Sequence, residues 1–212
     1  MNFFGKRVLF LGAHPDDIEL GCGGLLHYIV TKTDADVRCV TLSDNQKNPD
    51  LKNVKDEHFA SMQILGVPRE KILFGPFITR VFPDARQEIL EYFIKLRKDF
   101  KPDLIFVHSK EDIHQDHNVM TEEALRAYRG ITVLGFDVVR SSYGFFPHFI
   151  VEVTEEDVNK KIEALSQYET YRDRYYFNAE LTRSIMVRHG ALAECPFAEG
   201  FDILRIVGKF ED

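Results

Sequence analysis

The fold of this chain follows from the stretch Val8-Leu9-Phe10-Leu11-Gly12-Ala13-His14-Pro15-Asp16-Asp17-Ile18. The run Val8–Leu11 is short and apolar, which is typical of an inner strand of a parallel sheet. Pro15 ends the strand because its ring fixes φ and removes a donor, and we expect a helix from about Asp17 or Ile18 to about Thr33. The turn therefore brings one imidazole and two carboxylates to the carboxyl end of a strand, where open α/β sheets bind ligands.

A second motif, His114-Gln115-Asp116-His117, follows another apolar run, Leu104–Val107. This run also predicts a buried parallel strand, and a helix is expected from Asn118 to Tyr128. Both motifs thus occupy the same topological position, between the end of a strand and the start of a helix. We therefore expect them to meet at one edge of one sheet.

The rest of the chain alternates between strand and helix patterns, and its length favours a single α/β domain over residues 1–212. The core is expected at about 1–135, with a small α+β extension at about 136–212. Three glycines, Gly21, Gly23 and Gly24, are costly for the first helix and are expected where its backbone approaches the sheet or a ligand. Further expected strands and helices are strands 37–42, 72–74, 133–137, 149–153 and 203–207, and helices 54–65, 84–100 and 179–188, together with a helix capped by Thr154 and Asp157.

The composition excludes several classes of protein. A net charge of -7 and a pI near 5.6 argue against a nucleic-acid binder, which needs clustered Lys and Arg. The three cysteines, Cys22, Cys39 and Cys195, are too few and too far apart for a disulfide framework or a Cys-based zinc site. Since Met1–Phe4 carries no signal-peptide features and no apolar run approaches the roughly 20 residues of a membrane span, we expect a cytoplasmic protein.

The two motifs together offer the ligands of a catalytic metal site. Mixed His and carboxylate shells suit zinc, which in enzymes keeps one open position. From the residues alone, the ligands are His14, one of Asp16 and Asp17, and one or both of His114 and His117. The remaining carboxylate is then free to act as a general base, and a spare histidine to stabilise an oxyanion or protonate a leaving amine. Asp116 is suited to orienting an imidazole.

The segment Ala13–Asp17 with its glycine-rich continuation, paired with His114–His117, resembles the PIG-L/LmbE-like family of zinc-dependent N-acetyl sugar deacetylases. The similarity extends to Leu65-Gly66-Val67 and Phe197–Phe201. It implies a Rossmann-like fold, zinc as the cofactor with iron(II) in some members, and the homo-oligomers that relatives often form. It also implies that His14, Asp17 and His117 bind the metal, that Asp16 is the general base, and that His114, supported by Asp116, stabilises the oxyanion or donates a proton.

The chain departs from the family pattern in two places that concern the substrate. Many relatives carry an arginine that contacts substrate where this chain offers Lys55, so Lys55 is only a candidate substrate-binding residue. Many relatives also carry a Tyr-x-Ser-Gln-like segment where this chain has Tyr168-Glu169-Thr170-Tyr171. The Tyr- and Arg-rich stretch from Tyr168 to Tyr176 is interpreted as a solvated helix face in preference to a sugar-binding platform. His108, at the end of its strand, is interpreted equally as a structural residue or as an outer neighbour of the metal ligands.

The sequence thus favours a hydrolase in which a metal-bound water, deprotonated by Asp16, attacks the N-acetyl group of an amino sugar or its conjugate. One alternative is a metal-dependent amidase or phosphoesterase acting on a substrate other than a sugar. Another is a non-catalytic protein that binds a metal or a sugar nucleotide. A dinucleotide site is disfavoured because Gly21-Cys22-Gly23-Gly24 does not have the Gly-x-Gly-x-x-Gly pattern.

Overall fold

The computed structural model describes residues 7–45 and 47–208, and the predicted N-terminal feature at Met1–Phe4 lies outside this part of the chain. The strands are β1 (Arg7–Gly12), β2 (Asp36–Thr41), β3 (Ile72–Phe74), β4 (Leu104–His108), β5 (Thr132–Phe136), β6 (Phe149–Glu152) and β7 (Ala198–Arg205). The helices are α1 (Asp17–Lys32), α2 (Val54–Ile64), α3 (Arg86–Phe100), α4 (Gln115–Ala127), α5 (Glu155–Leu165) and α6 (Ala179–Leu192).

The strands of the described residues form a seven-stranded sheet in the order β3-β2-β1-β4-β5-β7-β6. The first five strands in this order are parallel, whereas β7 is antiparallel to both of its neighbours. The predicted mostly parallel sheet flanked by helices is therefore confirmed. The chain runs outward in opposite directions from β1 and β4, so that a crevice opens between the loops that follow these two strands.

The inner strands are apolar on both sides because helices cover both faces of the sheet. In β1, Val8 and Phe10 belong to a buried cluster with residues of α1, α2 and α5. Leu9 and Leu11 point the opposite way, into a second cluster with residues of α3 and α4. This double burial explains why β1 and β4 read as continuous apolar runs instead of alternating patterns.

Helix α1 is interrupted at Cys22, whose φ of -149° and ψ of 28° are not helical. A Cβ on Gly21 would lie 2.2 Å from Cδ2 of Phe136, so the close packing of α1 against β5 requires glycine there. After the interruption, the carboxylate of Glu199 accepts the N–H groups of Gly24 at 3.1 Å and Leu25 at 2.7 Å. The expectation of close approach to the sheet is thus met for Gly21, against β5, and for Gly24, against Glu199 of β7, whereas a Cβ on Gly23 would lie 3.2 Å from Cγ of Lys161 in α5.

Among the element boundaries that differ from the predictions, two have clear reasons. Helix α4 begins at Gln115 instead of Asn118, because His114 Nδ1 accepts the N–H of Asp116 and caps the helix. Strand β7 begins at Ala198 instead of Ile203, because the residues Ala198–Gly200 have little strand preference of their own but pair with β6. Among the described residues, no helix combines the length and the apolarity needed to cross a membrane.

Candidate metal centre and catalytic site

The two predicted motifs lie side by side at the carboxyl ends of neighbouring parallel strands. β1 pairs with β4 in the register Phe10↔Phe106, so the loops that leave these strands start at the same edge of the sheet. The first loop carries His14, Asp16 and Asp17, and the second leads to His114 and His117 at the start of α4. The expectation that both motifs face one crevice is confirmed.

Asp16 bends the first loop through an unusual backbone conformation. Its φ of 96° is positive, which is uncommon for a residue other than glycine. The carboxylate of Asp17 accepts the backbone N–H of His14 at 2.7 Å and holds the turn closed. Backbone conformations of this kind cost of order 1–3 kcal/mol and concentrate at functional sites. The strained turn thus brings the side chains of His14, Asp16 and Asp17 to the same edge of the sheet.

Three ligand atoms from these loops form a small triangle. His14 Nδ1 lies 3.2 Å from His117 Nε2 and 3.6 Å from Asp17 Oδ2, and the last two atoms are 3.5 Å apart. Ligand atoms around a tetrahedral zinc with bonds of about 2.0–2.2 Å lie about 3.3–3.6 Å from one another. The triangle therefore has the donor types and the spacing of one face of such a site, and the residues fit a divalent metal.

Two further carboxylates fix the imidazoles that belong to the triangle. Asp116 Oδ2 lies 2.9 Å from His14 Nε2, and Asp112 Oδ2 lies 2.8 Å from His117 Nδ1. Each far nitrogen therefore donates to a carboxylate, and each near nitrogen is left to present a lone pair to a metal. The sequence pattern did not identify Asp112 as a partner of His117. The signal available was a carboxylate in the same loop, five residues before His117.

We expect Asp112→Asn to weaken zinc affinity about 10–100-fold, because the charge that orients and polarises His117 is lost. Competition with a chromophoric chelator measures this affinity. Glu111→Gln is the matched control, because Glu111 is the exposed neighbour in the same loop and should bind zinc as the wild type does. Equal affinity of all three proteins would contradict the role of Asp112.

In the metal-free protein, one histidine of the triangle is protonated and the other is neutral. Burial lowers the pKa of His14, but its hydrogen bonds with Asp116 and Asp17 outweigh burial and raise the pKa to about 9. Burial and the neighbouring His108 lower the pKa of His117 to about 4. At pH 7 the metal-free protein is thus protonated at His14 and neutral at His117.

Metal binding is therefore expected to release about one proton per ion at pH 7, because the ligand nitrogen of His14 must lose its proton. Below pH 9 a proton competes with the metal, so apparent affinity should rise with pH, by up to tenfold per unit, and level off above this pKa. Calorimetric titration in two buffers of different ionisation enthalpy measures the release. Affinity that does not change between pH 6 and 8 would contradict this assignment.

Asp16 and His114 lie beside the triangle and line the same cavity. Burial, and then the charges of Asp17 and Glu19, raise the pKa of Asp16 well above its ordinary value, so this carboxylate has a strong tendency to take up a proton. His114 Nδ1 accepts the N–H of Asp116 at 3.2 Å, which leaves the proton of the neutral ring on Nε2. One group suited to accept a proton and one suited to donate a hydrogen bond thus flank the triangle.

Of the remaining candidates, Asp116 contacts a different imidazole from the predicted one, Lys55 is paired with a cavity residue, and His108 lies beside the triangle, as one of its two interpretations has it. The carboxylate of Asp116 contacts the ring of His14, not that of His114, because His114 is held by the backbone N–H of Asp116 instead. Lys55 Nζ binds Asp44 Oδ2 at 3.0 Å; Asp44 lines the cavity, whereas Lys55 is not among the lining residues. His108 is buried behind the triangle, where its ring stacks on His117 with centroids 3.8 Å apart.

The cavity above the triangle has a volume of ≈ 640 Å³, which is within the range of small-molecule sites. Its lining also includes Tyr171, Arg174 and Tyr176. The interpretation of this stretch as a solvated face is therefore wrong for these three residues and fits only its exposed members, such as Arg172 and Tyr175. The segment forms two short 3-10 turns, so no helical periodicity in the sequence could assign its inner and outer side chains.

Comparison with known proteins yields a family and a shared fold. The family model described as PIG-L, GlcNAc-PI de-N-acetylase, matches residues 9–128, more than half of the chain. Uncharacterized deacetylase YaiS of Escherichia coli K12 is 29% identical over 170 residues, which cover 78% of this chain and 91% of the relative.

Two solved structures show how widely the fold is used. The N,N'-diacetylchitobiose deacetylase from Pyrococcus horikoshii has a TM-score of 0.71 at 20% identity, over 94% of this chain and 84% of that one. The 4-carboxy-2-hydroxymuconate hydratase from Pseudomonas putida KT2440 has a TM-score of 0.75 at 18% identity, over 98% and 100%. Since these two names describe different reactions, the fold alone does not decide the chemistry, which has to be argued from the site.

Proposed function

The chain belongs to the PIG-L family described as GlcNAc-PI de-N-acetylases, and we propose from this premise that it is a metal-dependent hydrolase that removes the N-acetyl group from an amino sugar or its conjugate. The observation that carries the proposal is the triangle of His14, Asp17 and His117, whose atoms lie 3.2–3.6 Å apart beside a cavity that Asp16 and His114 also line. Free thiols at all three cysteines fit the proposed cytoplasmic location.

His14, Asp17 and His117 would hold the metal, which we propose to be zinc, with iron(II) as the second candidate. Two imidazoles and one carboxylate leave a net positive charge on a divalent ion and suit either metal. When bound there, the ion would lower the pKa of a water molecule and polarise the carbonyl of the substrate. Asp116 and Asp112 keep the two imidazoles in the orientation that this binding requires.

Asp16 and His114 would carry the proton transfers. Asp16 accepts a proton from the attacking water while the oxygen of that water forms a bond to the amide carbon. His114 donates a hydrogen bond from Nε2–H to the carbonyl oxygen as negative charge develops there. The C–N bond then breaks, and the proton taken up by Asp16 goes to the departing nitrogen, so that acetate and a free amine are formed.

The site gives less support to the other candidate functions. A two-metal phosphoesterase needs a second metal about 3.5–4 Å from the first, with its own ligands. Among the described residues, the groups that could hold an ion are His14 with His114 and His117, and Asp17 with His108 and His117, so the two groups share His117 and are not separate sets. A purely metal-binding function does not explain why Asp16 lines the cavity next to the triangle in a strained backbone conformation. An amidase acting on a non-sugar substrate would use the same catalytic groups. Only a comparison of substrates distinguishes it from a sugar deacetylase.

The proposed activity is tested by incubating zinc- or iron(II)-loaded protein with a panel of N-acetylhexosamines, their conjugates and non-sugar acetamides. We expect acetate release together with a product about 42 daltons lighter, the mass difference for loss of one acetyl group, from at least one sugar. Acetate from acetamides alone would favour the non-sugar amidase. Metal binding with no acetate from any member of the panel would contradict the proposal.

A further inference from the structure

One wall of the cavity carries two arginines that share a tyrosine hydroxyl. Arg174 Nη1 lies 2.6 Å from Tyr176 Oη, and Arg140 Nη1 lies 3.3 Å from the same oxygen. A phenolic oxygen has two acceptor positions and one proton. Since both guanidinium groups donate to this oxygen, the hydroxyl proton of Tyr176 is left to donate to another group in the cavity.

Most donors of the two guanidinium groups are unused by the protein. Each group has five N–H bonds, and within residues 7–45 and 47–208 the guanidinium groups of Arg140 and Arg174 each form one hydrogen bond and no ion pair with a carboxylate. Arg174 is held by stacking, with its Cζ 4.2 Å from the centroid of the Tyr171 ring. The stacking positions Arg174, whose charge also interacts with that of Asp16, whereas Arg140 is exposed. Most N–H donors of both groups remain free to bind a ligand.

Further positive charges line the same cavity and also favour the binding of an anion. Lys47 and Arg80 also line it, and neither forms an ion pair with a carboxylate in the described part of the chain. Three carboxylates line the cavity: Asp44 is paired with Lys55 at 3.0 Å, Asp17 belongs to the metal triangle, and Asp16, the proposed base, interacts electrostatically with Arg174. A protein with a net charge of -7 thus places four cationic side chains, Lys47, Arg80, Arg140 and Arg174, on the lining of this cavity, where they attract and orient anions.

We propose that Arg140, Tyr176 and Arg174 form a subsite for an oxyanion, a phosphate or a carboxylate, on the part of the substrate that does not react. Planar guanidinium groups with several free N–H bonds match the lone pairs of such a group, and the Tyr176 hydroxyl supplies a further donor. The inference rests on the proposed function, which supplies the N-acetyl sugar part of the substrate, and it narrows the class of substrate by adding an anionic group. The substrate is then an N-acetyl amino sugar that carries a phosphate or an acidic group, in preference to a neutral oligosaccharide.

Binding tests the subsite separately from catalysis. Calorimetry with zinc-loaded protein compares glucosamine 1-phosphate with the neutral methyl glucosaminide, and inorganic phosphate reports on the anion alone. We expect the phosphate sugar to bind about tenfold tighter or more, a preference that falls with rising salt. Arg174→Gln should remove most of this preference, and Arg140→Gln and Tyr176→Phe part of it. A wild-type protein that binds both sugars equally would overturn the proposal.

Arg172→Gln is the matched control, because Arg172 lies in the same segment but is exposed and paired with Glu169. It should keep the wild-type preference. Arg174→Gln retaining the full preference, or the control losing it, would also overturn the subsite. Direct metal–phosphate contacts do not confuse the comparison, because they are common to every variant.

Turnover separates this inference from the proposed function. N-acetylglucosamine 1-phosphate, N-acetylmuramic acid and methyl N-acetylglucosaminide distinguish phosphate, carboxylate and neutral substrates. We expect a lower KM for one of the two anions, and Arg174→Gln should raise that KM with a smaller effect on kcat. Acetate release with no preference for either anion would leave the deacetylase and overturn the subsite. Anion binding without acetate release from any substrate would leave the subsite and contradict the deacetylase.

Discussion

Asp16→Asn is expected to bind one metal ion as the wild type does and to lose about 10²–10⁴-fold in kcat, the usual contribution of a general base. Metal binding should persist because the substitution leaves His14, Asp17 and His117 in place. Asparagine, like aspartate, is among the residues enriched at positive φ, so the backbone turn at φ 96° should be preserved. Metal analysis of the purified variant and steady-state acetate release measure the two effects.

Asp173→Asn serves as its control, since Asp173 is an exposed aspartate that does not line the cavity. It should match the wild type in both measurements. If Asp16→Asn instead lost its metal as completely as the ligand variants do, Asp16 would be a ligand and the base would have to be sought elsewhere. Full turnover by Asp16→Asn would exclude it from the proton transfers.

His117→Ala is expected to lose both metal and acetate release. It removes one of three protein ligands, so the loss of affinity should exceed the about 10–100-fold expected when only an outer partner such as Asp112 is changed. Two protein ligands, His14 and Asp17, then remain in place of three, so a cation is held less tightly and in a less defined position. Titration with zinc under chelator competition, followed by activity at saturating zinc, measures both losses.

His148→Ala is the control for removal of an imidazole, because the side chain of His148 is 63% exposed and does not line the cavity. It should bind zinc and turn over as the wild type does. Wild-type metal affinity in His117→Ala would remove His117 from the ligand set. Thermal unfolding of both variants in the presence of chelator shows whether the fold survives, independently of metal.

The residues proposed for the reaction and those proposed for anion binding come from different parts of the chain. The metal triangle and its neighbours come from the loops after β1 and β4, in the part of the chain that matches the family model. Tyr176 and the two arginines come from residues beyond 128, outside that match. We therefore expect changes on the arginine wall to alter the choice of substrate more than the rate of the reaction, and changes at the triangle to do the reverse.

Much of the fold could be predicted because its signals are local. The apolar runs before each motif, the proline after His14 and the capping box of Thr154 with Asp157 each depend on residues within a few positions of one another. These signals located β1, β4, α5 and the edge of the sheet where the motifs meet. Boundaries shifted where a distant partner supplied what the local sequence lacked, as for the first residues of β7.

The sequence by itself determined that His14, Asp16, Asp17, His114 and His117 lie at strand ends of one parallel sheet. Only the tertiary structure decided which atoms meet. His14 faces a partner 103 residues away in His117 and a carboxylate 102 residues away in Asp116, and the order β1-β4 that joins them is fixed by packing across the whole sheet. The pairing of Arg140 with Tyr176, 36 residues apart, had no sequence signal, because irregular turns carry no periodicity from which the direction of a side chain can be inferred.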